Sequence, residues 1–157
     1  MRDLPPEYAG ALRRTKKDAS AGVEVQVVHE DGFEPSKRAW RAAEVWTRHR
    51  VYGLDSHLFC VEVLNRASGN AEPDHTMIGS RLGGGRLRGN SSVRFSYPFP
   101  LPGMEAMFAQ GKKYGYTSLV ERFVLRVRVL EMGADAQAPS WDELIARGAK
   151  PSPGAKR

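Results

Sequence analysis

A single cysteine in 157 residues leaves Cys60 without an intramolecular partner, which excludes a disulfide scaffold of the small secreted kind. No apolar run approaches the roughly 18 residues that a membrane-spanning helix requires. The opening residues, MRDLPPEYAG, lack the apolar core of a secretory signal. Together these absences lead to the expectation of a cytoplasmic protein with no membrane association. Signatures of several enzyme classes are missing too. There is no G-x-S-x-G, so a serine hydrolase of that type has no support. The glycine-rich run after Gly79 lacks the Lys-Ser/Thr of a Walker loop, and an alternating segment rather than a helix follows it, which excludes the dinucleotide-binding fingerprint. No internal repeat is visible.

What is present reads as β structure. Hydrophobic residues make up 41% and charged residues 27% of the chain, a globular balance, while 16 Gly and 10 Pro favour many turns over long helices. Val23, Val25 and Val27 alternate with polar residues as a first strand. Residues 44–52 and 57–64 alternate again around Gly53-Leu54-Asp55-Ser56, which predicts a central hairpin with its turn at those four residues. Residues 36–43 read as a turn or a single helical turn. Met77 to Leu82 forms a weak strand, and the glycine-rich stretch from Gly79 to Ser92 predicts a flexible loop. Val93, Phe95 and Tyr97 restore alternation, and the prolines of residues 98–103 predict an irregular crossover with Phe99 and Leu101 as plugs. Met104, Ala106 and Phe108 suit a short strand or a helical turn before a mobile loop at residues 111–116. Residues 119–130 are the longest strand candidate, with Phe123, Leu125, Val127 and Val129 facing the core.

One helix is expected. Ser140-Trp141-Asp142-Glu143 fits a capping box that Gly148 would stop. The chain therefore divides into a flexible basic arm at residues 1–21, a β-rich domain at 22–148 and a disordered basic tail at 149–157. The expected fold class is mainly β, an antiparallel barrel or sandwich of about six or seven strands with one short C-terminal helix.

Chemistry-bearing residues are few. His49, Asp55 and His57 flank the expected hairpin, and two imidazoles with a carboxylate form a metal-binding set, though their spacing matches no strong signature. Cys60 sits mid-strand between Phe59 and Val61 and reads as a buried, inert thiol. The R-x-x-x-R motif of PilZ-type cyclic-dinucleotide receptors is absent before the first strand, where Arg13-Arg14-Thr-Lys-Lys stands, and Asn90-Ser-Ser92 lacks the glycine of their second motif.

Charge is the more general signal. The formal net charge is +6, and it is segregated: residues 36–50, 79–94 and 109–128 each carry +4, whereas residues 22–35 carry −4 and residues 51–78 and 129–149 carry −3 each. The basic segments also hold Trp40, Trp46, Tyr114 and Tyr116, aromatic groups suited to stacking on bases or covering arginine stems. The expectation is a non-catalytic binding or accessory module with no cofactor and no metal, for an anionic ligand or nucleic acid, with Arg48, Arg50, Arg86 and Arg88 as phosphate contacts. A protein-interaction or assembly subunit with a protein partner, using residues 98–103, Trp141 and strand edges, is the second reading. A metal-dependent enzyme built on His49, Asp55 and His57 is the third.

Overall fold

A computed structural model describes residues 22–31 and 41–140 of the chain. The protein is mainly β, with eight strands and no helix among the described residues: β1 (Val23–Asp31), β2 (Ala43–Thr47), β3 (Arg50–Leu54), β4 (Cys60–Asn65), β5 (Arg81–Arg88), β6 (Val93–Ser96), β7 (Glu105–Gln110) and β8 (Lys113–Glu131). The basic arm, the capping-box segment from Trp141 onward and the basic tail lie outside the described residues, as do residues 36–40 of the expected turn.

The strands join in the order β4-β3-β2-β8-β7-β5-β6, with β1 attached to β8. β8 ties the sheet together. Its residues 113–119 pair with β7, residues 120–125 with β2 and residues 123–131 with β1. All pairings are antiparallel except that of β1 with β8. The sheet does not close into a barrel. Its nearest approach to closure is a clip between the start of β4 and the lead into β5. There Phe59 bridges Arg81, and the N–H groups of Cys60, Gly79 and Leu82 donate to the carbonyls of Ser80, Cys60 and Leu58, each at 2.8 Å.

Two limbs result, a β1–β4 limb and a β5–β7 limb, and their inner faces share a core of Val45, Tyr52, Leu54, Val63, Phe108 and Phe123. Phe99 stacks on Phe123 with ring centroids 4.8 Å apart, so it is the plug expected of the proline-rich crossover. Leu101 is not. It lies in a turn closed by the Met104 N–H donating to its carbonyl, and its side chain points outward.

The central hairpin differs from expectation by one turn. Residues 44–52 are not one strand but β2 and β3, reversed at Arg48-His49, and the Thr47 hydroxyl closes the reversal by exchanging hydrogen bonds with the Arg50 carbonyl and N–H at 3.2 Å. A two-residue turn leaves hydrophobic alternation unbroken along the sequence yet inverts the facing. Val45 therefore shares its face with Tyr52, and Trp46 shares the other with Val51.

The glycine-rich run is a strand, not a loop. Gly83, Gly84 and Gly85 lie within β5 because neighbours leave no room for side chains there. A Cβ on Gly85 would stand 2.7 Å from Pro100 Cα, and one on Gly84, at φ +118°, would overlap the Ser96 carbonyl oxygen. Residues 111–116 shrink similarly to a two-residue turn, Gly111-Lys112, after which β8 begins.

Beyond Leu125, β8 loses β2 and keeps only β1. The apolar face of Val25, Val27, Val127 and Val129 is consequently half exposed, and Val127 and Val129 do not reach the core as their alternation suggested.

Candidate functional site

The four arginines expected to meet a ligand form two separate pairs. From the Phe59–Arg81 bridge, β4 and β5 run in opposite directions. Asn65, the partner of Arg50, lies beyond the bridge on one side and Arg86 on the other, on the order of 30 Å of strand apart.

Arg48 and His49 border an open groove of about 450 Å³ with Asn65, Arg66 and Glu121. Most cations at this end of the sheet are engaged. Arg50 Nε donates to Glu72 Oε2 at 2.7 Å, which holds the Glu72 carboxyl below its usual range. Arg66 bonds the Thr47 carbonyl and Glu121, each at 2.7 Å. Arg66 and Arg122 both lie on the Trp46 ring, at 5.3 and 4.9 Å from its centroid, so Trp46 covers arginine rather than offering a face to a ligand.

The other pair stands on a different kind of surface. Cross-strand registers place Phe95 opposite Arg86 and Val93 opposite Arg88, with Glu105 on the far side of Arg86, so all five share the outer face of the β5–β7 limb. Arg86 sits 3.4 Å from the Tyr116 ring centroid and 2.8 Å from Glu105, and Arg88 reaches the same carboxylate at 3.1 Å while most of its side chain stays in solvent.

Aromatic rings fill the remainder of this face. Tyr97 lies against Gly84 and Tyr114 against Gly83, with the glycines serving as the floor beneath the rings. Phe95 and Tyr97 stack at 6.2 Å with an interplanar angle of 18°. The exposures are 51% for Phe95, 69% for Tyr97, 53% for Tyr114 and 39% for Tyr116, large values for four aromatic side chains gathered on one face.

Charge follows the same division. Residues 81–119 hold six cations, Arg81, Arg86, Arg88, Arg94, Lys112 and Lys113, against the one carboxylate of Glu105, a net +5. The rest of the described residues sum to −4. Arg88, Arg94, Lys112 and Lys113 are all exposed.

The metal-site residues do not converge. His49 is in the β2–β3 turn, and Asp55 and His57 follow the opposite end of β3. Asp55 Oδ1 accepts the N–H groups of His57 and Phe59 at 2.9 and 3.0 Å, so its carboxylate shapes its own turn. Among the described residues no group of three His, Cys, Asp or Glu is placed to hold a metal ion. Cys60 is buried, and burial pushes its thiol up to about 12, far from nucleophile range.

No family model matches the chain, and no curated protein and no solved structure matches it either. The protein thus belongs, by its fold, to the mainly-β class with an open sheet, and its role has to be read from its own surface.

Two site features escaped the sequence reading. Phe95 and Tyr97 looked like ordinary strand alternation, although Val93, Phe95 and Tyr97 on a short strand beside a triple glycine was the available signal. Arg94 stands opposite Leu87 and Lys113 opposite Gln110, on the reverse side of the limb from Arg86 and Phe95, a placement that only the β5–β6 and β7–β8 pairings reveal.

Proposed function

We propose that this protein is a non-catalytic binding module that engages an anionic polymer on the outer face of its β5–β7 limb. The observation that supports this reading most is the charge division, +5 on the limb that presents the exposed rings against −4 on the other described residues. Such a field concentrates a polyanion on one face of the molecule and repels it from the other. Arg88 supplies a phosphate or sulfate contact on that face, and Arg86, held by Glu105 and Tyr116, positions the ring beside Arg88. Arg94 and Lys113, opposite Leu87 and Gln110, add positive charge from the reverse side of the same limb. Arg48, with Arg50 behind it, forms a second and weaker anion patch at the opposite end of the sheet.

The test is binding of the full chain to heparin and to a labelled oligonucleotide across a salt series, repeated with Arg88→Ala/Arg94→Ala and with Arg48→Ala/Arg50→Ala. The first pair is expected to weaken binding and to reduce the log–log salt slope by about one per lost contact, and the second pair to change it less. Binding that disappears when residues 1–21 and 149–157 are deleted, or that ignores Arg88 and Arg94, contradicts the proposal.

A protein-interaction role is favoured by one separate observation, the half-exposed apolar ribbon of Val25, Val27, Val127 and Val129 on a parallel strand pair. Parallel strands are ordinarily covered on both faces. Sedimentation mass that rises with concentration and falls back in Val27→Asp supports that role, and a constant monomer mass removes it.

A further inference from the structure

We infer that the polymer is a single-stranded nucleic acid, read through stacking of its bases on Phe95, Tyr97 and Tyr114. This inference rests on the anionic-polymer reading and adds the ligand class. Charge alone would suit any polyanion, whereas rings beside the cations add a preference that a polyphosphate cannot use and that flat, exposed bases use most fully. Base–aromatic stacking tolerates any sequence because every base has a π face, and in a duplex those faces are hidden inside the stack.

The geometry suits that use. Tyr97 and Tyr114 are seated on Gly84 and Gly83, so their rings are supported by the strand beneath and remain largely in solvent. Phe95 is nearly parallel to Tyr97 and lies across from Arg86, two residue pairs along the strands from Arg88, whose side chain is mostly exposed. Cations on β5 and rings on β6 therefore stand side by side on one face, an arrangement in which a strand's phosphates and bases can be contacted together. Arg86 is a positioning residue, since its guanidinium lies on Tyr116 and its charge is met by Glu105.

The experiment compares three fluorescent probes of equal length on the full chain: a mixed-sequence single strand, the same strand with abasic sites throughout, and the duplex. It is repeated with Phe95→Ala, with Tyr97→Ala and with Tyr97→Leu, which keeps apolar cover over Gly84 without a π face. The expected result is that the single strand binds about tenfold or more tighter than the abasic strand. Either Tyr97 variant should remove about tenfold of that advantage while leaving abasic-strand binding and the salt slope unchanged. Equal affinity for the single and abasic strands, or duplex binding as tight as single-strand binding, overturns the inference and leaves the anionic-polymer reading standing. Failure to bind any of the three probes removes both.

Discussion

At the scale of single residues, Cys60 and His75 are committed to structure. Cys60 is held neutral by desolvation, with its S–H directed at the Glu62 carbonyl 3.6 Å away. Its thiol is raised from about 9 to about 12 on folding. The stabilisation this represents is complete below about pH 9 and is lost as pH rises from there to about 12. The slope is about 1 kcal/mol per pH unit. Urea midpoints between pH 8 and 11 should fall accordingly, and Cys60→Ala should flatten the fall. Iodoacetamide at pH 8 should label unfolded but not folded protein.

His75 works in the other direction. Its Nδ1 accepts the Met77 N–H at 3.1 Å, its ring meets Tyr52 edge-on, and burial, aided by the charge of Arg50, lowers its pKa below the usual 6.5. The unfolded chain takes up the proton first, so stability is lost as pH falls below about 6.5. A denaturation series from pH 7.5 to 5 should show that loss in the native protein and a smaller one in His75→Gln.

At the scale of elements, alternation marked where strands lie but not where they turn. The pattern through residues 44–52 was continuous because a two-residue reversal costs no register in the sequence, and only the Thr47–Arg50 exchange betrays the turn. Thr47→Ala should lower stability by about 1 kcal/mol. The long strand was legible from Leu119 onward, where every apolar residue is β-branched, aromatic or leucine. Its first residues, 113–118, were hidden by Gly115 and by lysines that read as a loop. β5 was misread because glycine frequency signals flexibility when a chain is viewed alone, whereas here it reports crowding by Ser96, Pro100 and Tyr114. Gly84→Ala is therefore predicted to cost about 2 kcal/mol or more, through its positive φ and its overlap with the Ser96 carbonyl, while Gly111→Asn, which meets open space, should be nearly neutral. Chemical denaturation of the two variants decides this.

At the scale of the whole molecule, the mainly-β class followed from alternation and turn spacing, and segregated charge was plain in the sequence. Its meaning was not, because that depended on β8. By pairing with β7 along one stretch and β2 along the next, β8 gathers residues 81–119 into one limb and sends Arg48 and Arg50 to the far end of the other. The expectation of a four-arginine site required these segments to converge, and the topology instead yields one basic aromatic face and one small arginine patch. Glu105 is the single acid interleaved in the basic limb, and it engages Arg86 and Arg88 together, so a surplus cation remains even there.

The most direct measurement is ultraviolet cross-linking of a single-stranded oligonucleotide to the full chain, followed by mass spectrometry of the attached peptides. Adducts confined to residues 93–97 and 113–119 are the predicted outcome, diminishing in Tyr97→Ala. Adducts concentrated in residues 1–21, in residues 149–157 or around Arg48 would contradict the account, because the basic aromatic face would then not be where the nucleic acid lies.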